Sequence, residues 1–195
     1  MFAGHFGLAA AVKASDARTP VWALMLGTQL LDVIFVPLLL SGHETIVAER
    51  EGYGGALIHA DYTHSLVGAI VVSLAAALLG RRFWGRRSGA VIGLVVFSHW
   101  LLDLIVHRPD LPILPGNAGD LPLLGFGLWE HPAASAALEA VLIAGGFLLY
   151  LRSSVKRSKA AGTGAASTLK WAYWSSAAMG VLLLASLLTD TLSGG

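Results

Sequence analysis

Cysteine is absent from the 195 residues, which excludes a disulfide framework, a thiolate metal site and a cysteine nucleophile. Charge is scarce: Asp, Glu, Lys and Arg make up 13% of the chain against 55% hydrophobic residues, and the mean hydropathy is +0.69. A soluble domain of this length carries about twice that charge. The start, Met1 to Ala14, has no basic segment ahead of its apolar run, and His5 interrupts the run. It therefore does not read as a cleaved signal peptide. What the chain has in quantity is 23 Gly and six Trp, a combination that suits a membrane bundle, with Gly at close helix contacts and Trp at the interfaces.

A bilayer core takes roughly 20 apolar residues as helix. Four stretches are long enough. Val21–Leu40 follows Pro20, Tyr62–Leu79 ends at Gly80, Ser88–His107 stops before Pro109, and Pro132–Leu151 opens on its own proline. Leu169–Thr189 is a more polar fifth, and the apolar segment Phe2–Lys13 suits a half-span packed against the bundle. The expected fold is all-α: a polytopic membrane helix bundle of about five transmembrane helices plus a short N-terminal half-helix. It forms one integral membrane domain over residues 1–195, with no internal repeat.

Basic residues set the expected orientation. Lys13 and Arg18, then Arg81, Arg82, Arg86 and Arg87, then Arg152, Lys156, Arg157, Lys159 and Lys170 fall in three connecting segments that alternation puts on one side. They account for 11 of the 13 basic residues. The positive-inside rule makes that side cytoplasmic, as for a bacterial-type inner membrane, with residues 152–168 as a flexible cytoplasmic linker. The Arg81–Arg87 cluster reads first as a topology signal and second as a site for anionic lipid headgroups. The opposite loops, 41–61 and 108–131, are acidic and hold His43, His59 and His131. The second is long and broken by Pro109, Pro112, Pro115 and Pro122, which suits a lid or site wall.

Asp32, Asp103 and Glu139 lie inside expected spans. A carboxylate in hydrocarbon needs a partner or a wet cavity. His99 and Asp103 are four apart and share a helix face, which His107 extends by another turn. Asp61, His64 and Ser65 open the preceding span, with Asp61 or Thr63 as its cap. His5 falls near the outer end if its helix runs inward. The alternation of spans then puts His5, Asp32, His64, His99 and Asp103 all in the outer half of the membrane, a coincidence the charge rule does not require. Imidazoles and carboxylates converging from four segments suit a borderline divalent cation, zinc first, with manganese or iron as alternatives. Those five residues are the expected metal ligands. Asp32, Asp103 and His64 are also the candidates for acid–base work. Asp61, Ser65, His107, Glu130, His131 and Glu139 form a possible outer ring.

Each residue also has a plainer reading. His99 with Asp103 makes an ordinary hydrogen-bonded pair. Ser65 and Ser98 fit packing or capping better than nucleophilic attack. His107 suits a helix end, Glu130 and His131 an ordinary helix start, and His43, His59 and Glu44 a solvated loop.

The elements Gly4-His5, Asp32, Thr63-His64-Ser65 and Ser98-His99-Trp100-Leu101-Leu102-Asp103 together resemble the YdjM-like membrane-bound metal-dependent hydrolases over about residues 1–110. The chain departs from that pattern at Leu31-Asp32-Val33-Ile34, where the family often has Pro-Asp-x-Asp-His. It departs again at Asp61-Tyr62, where Arg-Gly often precedes Thr-His-Ser. The resemblance implies hydrolysis, and a lipid or phosphoester substrate met at the extracytoplasmic membrane boundary. The competing expectation is a divalent cation or proton transporter or channel, since intramembrane His and Asp serve that equally. A metal-stabilised scaffold without catalysis is the third. Membrane lipids are the expected partners. Nothing supports nucleic-acid binding or implies an obligate protein partner.

Overall fold

The computed structural model describes residues 2–48, 56–160 and 165–193. The described chain is almost entirely helical. In order, it contains α1 (Phe2–Ser15), α2 (Val21–Thr28), α3 (Leu30–Leu40), a two-stranded hairpin of β1 (Thr45–Ala48) and β2 (Ala56–His59), α4 (Leu66–Val106), α5 (Pro132–Ala160) and α6 (Ala165–Ser193). The strands pair antiparallel, Thr45 opposite His59 and Ala48 opposite Ala56, inside a segment read from sequence only as a loop.

Three helices, α4, α5 and Ser167–Thr191 of α6, are each long and apolar enough to cross a membrane, and α2 with α3 qualify jointly as one bent unit. Large apolar side chains face outward along them, among them Leu40, Leu78, Leu94 and Val181. An apolar exterior of this extent suits a lipid environment.

The 41 residues of α4 would span about 60 Å as a straight helix, twice a bilayer core. They do not run straight. Gly85 has φ 86° and ψ 171°, a conformation other residues adopt only under strain, and the chain folds back there. The limbs 66–84 and 86–106 lie against each other through small residues. A Cβ added to Gly80 would sit 3.2 Å from the Gly89 Cα, and one on Gly93 would meet the Ala77 Cβ at 2.7 Å.

The span expected over 21–40 is broken. α2 and α3 meet at 48°. At the break the Gln29 N–H bonds to the Leu26 carbonyl at 3.1 Å, a tightened turn of the kind that bends helices. The Thr28 hydroxyl donates to the Met25 carbonyl at 2.8 Å.

The half-helix α1 is buried through Ala3, Gly4, His5, Gly7, Ala9 and Ala10. It runs parallel to α5, with backbone on backbone where a Cβ on Gly7 would lie 2.6 Å from the Leu142 carbonyl carbon and one on Gly146 would strike the Gly7 carbonyl oxygen. At its far end the Ala14 carbonyl accepts from Ser153 Oγ at 2.6 Å and Arg157 Nη1 at 3.2 Å. At its near end the Ala3 N–H donates to Asp190 Oδ2 of α6 at 2.7 Å, an anion at a helix N-terminus.

The basic segments gather at one end of the bundle. Arg87, just past the α4 turn, stands 3.6 Å from the buried Asp16, and Arg157 of α5 reaches Ala14. Residues 152–168 are not a flexible linker throughout. α5 continues to Ala160 and α6 begins at Ala165, while 161–164 lie outside the described residues. At the other end, the proline-broken loop folds over the start of α4, whose Leu66 and Val67 N–H groups bond to the Pro112 and Ile113 carbonyls at 3.0 and 3.1 Å. Those are donors a helix start must place somewhere.

Candidate metal centre

His5 on α1, Asp32 on α3, His64 just ahead of α4, and His99 and Asp103 on its second limb meet around one cavity, whose other walls are Phe2, Phe35, Val36, Ile58, His107 and Trp129. The cavity is about 210 Å³. Two triads within it have ligand atoms close enough to share an ion: His5, His99 and Asp103, and Asp32, His64 and His99.

The distances are those of a crowded polar knot. His99 Nε2 is 2.9 Å from Asp103 Oδ2 and 3.6 Å from Asp32 Oδ1. His64 Nε2 is 3.4 Å from Asp32 Oδ1 and 3.5 Å from Asp103 Oδ2. His5 Nε2 is 3.4 Å from Asp103 Oδ1. The two nitrogens His64 Nε2 and His99 Nε2 are 3.2 Å apart. All of these side chains are buried except Asp32, which is 35% exposed.

Hydrogen-bond accounting fixes what the two nitrogens present. His99 Nδ1 lies 2.6 Å from the Thr28 carbonyl, an acceptor, so Nδ1 carries a hydrogen, and in the neutral ring Nε2 presents its lone pair. The bend between α2 and α3 falls at this carbonyl. His64 Nδ1 is 2.8 Å from Thr63 Oγ1, which in turn lies 3.0 and 3.1 Å from the two carboxylate oxygens of Glu44. A carboxylate only accepts, so the Thr63 hydroxyl donates to Glu44 and accepts from His64 Nδ1–H. The Nε2 of His64 is thereby also a lone pair. With both rings neutral, two imidazole lone pairs face each other at 3.2 Å, between two carboxylates. In that neutral state the four groups converge as acceptors, so a proton or a cation must enter to answer them, and burial makes the unanswered state costly. The donor set of nitrogen and carboxylate oxygen, with hydrogen-bonded imidazoles behind it, matches a divalent metal site. His5 is the looser member: its Nδ1 is buried without a hydrogen-bond partner among the described residues, and its ring packs edge-on to His99 at 4.0 Å between centroids.

The outer ring expected from sequence is only partly assembled. His107 lines the cavity, pairs through Nδ1 with Asp110 Oδ1 at 2.9 Å and packs on Trp129 at 4.2 Å. Ser65 is the cap of α4, accepting from the Gly68 N–H at 3.0 Å. That corrects the capping expected of Asp61 or Thr63. Asp61 contributes its backbone carbonyl to Gly116 and does not line the cavity. Glu130 and His131 are exposed on the turn after Trp129 and are not brought to the cluster. Glu139 is fully buried on α5 but outside the cavity lining.

Three contributors escape the motif reading. Glu44 is not a solvated loop residue. It is buried and accepts the Tyr62 and Thr63 N–H bonds at 3.0 and 2.8 Å. The Thr28 carbonyl carries no side-chain signature, although the polar pair Thr28-Gln29 inside an apolar run marks the break. Trp100 donates from Nε1 to the His64 carbonyl at 2.8 Å and so ties the two limbs of α4 beside the site.

At the opposite end, Asp16 shows how a buried acid looks when it is answered. Burial pushes its carboxyl up. The hydroxyl and N–H of Thr19, the Arg18 N–H and the Arg87 guanidinium outweigh that push and hold it below the usual carboxylate range.

Fold and site together define an apolar helical bundle, with helices able to cross a membrane, around a buried His/Asp cluster fit for a metal ion. No family model, curated protein or solved structure matches the chain.

Proposed function

We propose that the chain is a membrane-embedded metal-dependent hydrolase that cleaves an ester or phosphoester bond of a membrane lipid, as its resemblance to the YdjM-like hydrolases implies. The observation that carries this reading is the pair of imidazole nitrogens, His64 Nε2 and His99 Nε2, held 3.2 Å apart between Asp32 and Asp103. Five crossings follow when the two limbs of α4 count separately and α2–α3 counts as one. The basic end is then cytoplasmic and the cluster lies in the extracytoplasmic half of a bacterial-type inner membrane. Zinc is the first candidate for the ion.

A divalent ion held by His64, His99, Asp103 and Asp32, with His5 beside them, would supply Lewis acidity to a water molecule and to the developing oxyanion. The side chains do the rest. Asp32 is the most exposed carboxylate of the cluster, which favours it as the group that takes the proton from the attacking water. Phe2 and Val36 are about half exposed where they line the cavity. Val36 shares a face of α3 with Asp32, one turn on. An acyl chain could therefore enter along an apolar wall with its polar bond directed at the cluster. The transporter reading asks for polar groups continuing to the basic end; on the α2–α3 unit, the Thr28 hydroxyl is turned to the Met25 carbonyl and the Gln29 amide nitrogen to the Phe2 carbonyl.

The test is metal analysis of the purified protein, then analysis of lipid products after incubation with membrane extract. A stoichiometric divalent ion and a released product are expected. Asp32→Asn and Asp103→Asn should lower turnover by about 10²–10⁴-fold. Protein that is folded, active, metal-free and indifferent to added metal would defeat the proposal. Ion flux in sealed vesicles without product from any lipid would favour the transporter.

A further inference from the structure

Glu44 lies outside every motif of the chain, yet it stands at the back of the cluster. It follows the end of α3, is 1% exposed and contacts Thr63 through both carboxylate oxygens. One of those oxygens also takes two backbone N–H bonds, from Tyr62 and Thr63. Thr63 in turn touches His64 Nδ1. The three side chains form a line, Glu44 to Thr63 to His64, and the far nitrogen of His64 faces His99 and the two aspartates.

The hydroxyl between the two ends has a single hydrogen. While that hydrogen goes to Glu44, the oxygen accepts from His64, and His64 must offer its Nε2 lone pair to the cavity. If the direction of the line reversed, the Thr63 hydroxyl would donate to Nδ1. Nε2 would then carry the hydrogen, and the nitrogen would be closed to a cation.

We propose that Glu44 and Thr63 are positioning residues for the metal centre: through the threonine hydroxyl, Glu44 sets the tautomer and ring orientation of His64. This rests on the metal reading of the cluster and adds to it a carboxylate acting one hydroxyl removed from the ligand. Carboxylates directly behind metal-bound histidines are worth about 10–100-fold in metal affinity. The plainer alternative is that Glu44 serves only to satisfy the two backbone N–H groups. The two roles separate at Thr63, because Thr63→Val removes the hydroxyl and keeps the shape, the backbone and both N–H bonds.

The experiment is a zinc titration against a competing chelator, on full-length protein in detergent, for wild type, Thr63→Val, Thr63→Ser and Glu44→Gln. Thr63→Val and Glu44→Gln should weaken zinc binding by about 10–100-fold, and Thr63→Ser, which returns the hydroxyl, should recover most of the loss. Thr63→Val binding zinc as wild type does would overturn the proposal and leave the metal reading standing. Wild type that binds no divalent ion would remove the metal reading itself. A second measurement needs no variant. Nitrogen NMR of ¹⁵N-histidine-labelled, metal-free wild type at alkaline pH should find His64 protonated on Nδ1 and bare on Nε2. The opposite tautomer overturns the proposal even if both variants fail to fold.

Discussion

The two ends of this bundle bury acidic groups in opposite ways. At the basic end, Asp16 meets the Thr19 hydroxyl and Arg87, and the Ala14 carbonyl is taken by Ser153 and Arg157. There the Thr19 N–H and hydroxyl serve Asp16 Oδ2, and a cation, the Arg87 guanidinium, faces Oδ1 at 3.6 Å. At the other end, with both rings neutral, Asp32, Asp103, His64 and His99 converge as acceptors, each imidazole directing its hydrogen to the Thr28 carbonyl or the Thr63 hydroxyl. A protein can afford such an imbalance only where something positive completes it. The contrast separates an acid held by a cation and a hydroxyl of the chain itself from acids grouped so that they could hold an ion, and burial alone would not have told them apart.

The largest effect expected concerns which end faces which compartment. The chain has no cysteine, so one introduced thiol reports alone. A membrane-impermeant maleimide applied to intact cells should label Asn117→Cys fully and leave Arg86→Cys unlabelled. Reversed labelling would put the cluster on the cytoplasmic side and undo the assignment of the two ends.

Next in size is the response to metal. If a cation completes the cluster, zinc at a hundred times its dissociation constant should stabilise the fold by about 2.7 kcal/mol. That gain should vanish in a His64→Ala, His99→Ala double variant. Thermal unfolding followed by circular dichroism, with chelator and with zinc, measures both. An equal response in the double variant would mean that the ion binds elsewhere.

The smallest effect belongs to the basic end. The Asp16 carboxyl is held below its usual range, so its contribution is present above the unfolded value, near pH 3.9. It is lost as pH falls through the lower folded value. Asp16→Asn should therefore cost about 1 kcal/mol at neutral pH, in chemical denaturation, and the difference from wild type should close in strong acid. A constant difference down to the lowest pH would show that shape, not charge, matters at Asp16.

The apolar runs, the proline starts at Pro20 and Pro132 and the clustering of basic segments were legible because span length and side-chain chemistry are local properties; the end expected at Gly80 was misplaced, since that limb stays helical until Gly85. So was the approach of His99 to Asp103, four apart on one helix. The gathering of His5, Asp32 and His64 around that pair was inferable from depth alone. What stayed hidden depends on backbone detail or on contacts distant in sequence. The 48° bend at Gln29 supplies a carbonyl, which no residue type announces. Glu44 looks like any acid in a polar loop until the chain brings it to Thr63, 19 positions later. Glu130 and His131 mislead for the converse reason. They are adjacent to Trp129, which does line the cavity, but the turn after it points them outward.

The hydrogen bond from the Ala3 N–H to Asp190 joins an early helix to the last one. Ribosomes deliver α1 long before α6, so the segment bearing His5 must wait through the synthesis of nearly all the rest before its start is clasped. Until α6 docks, the first turn of α1, two residues ahead of His5, lacks the carboxylate that receives its Ala3 N–H.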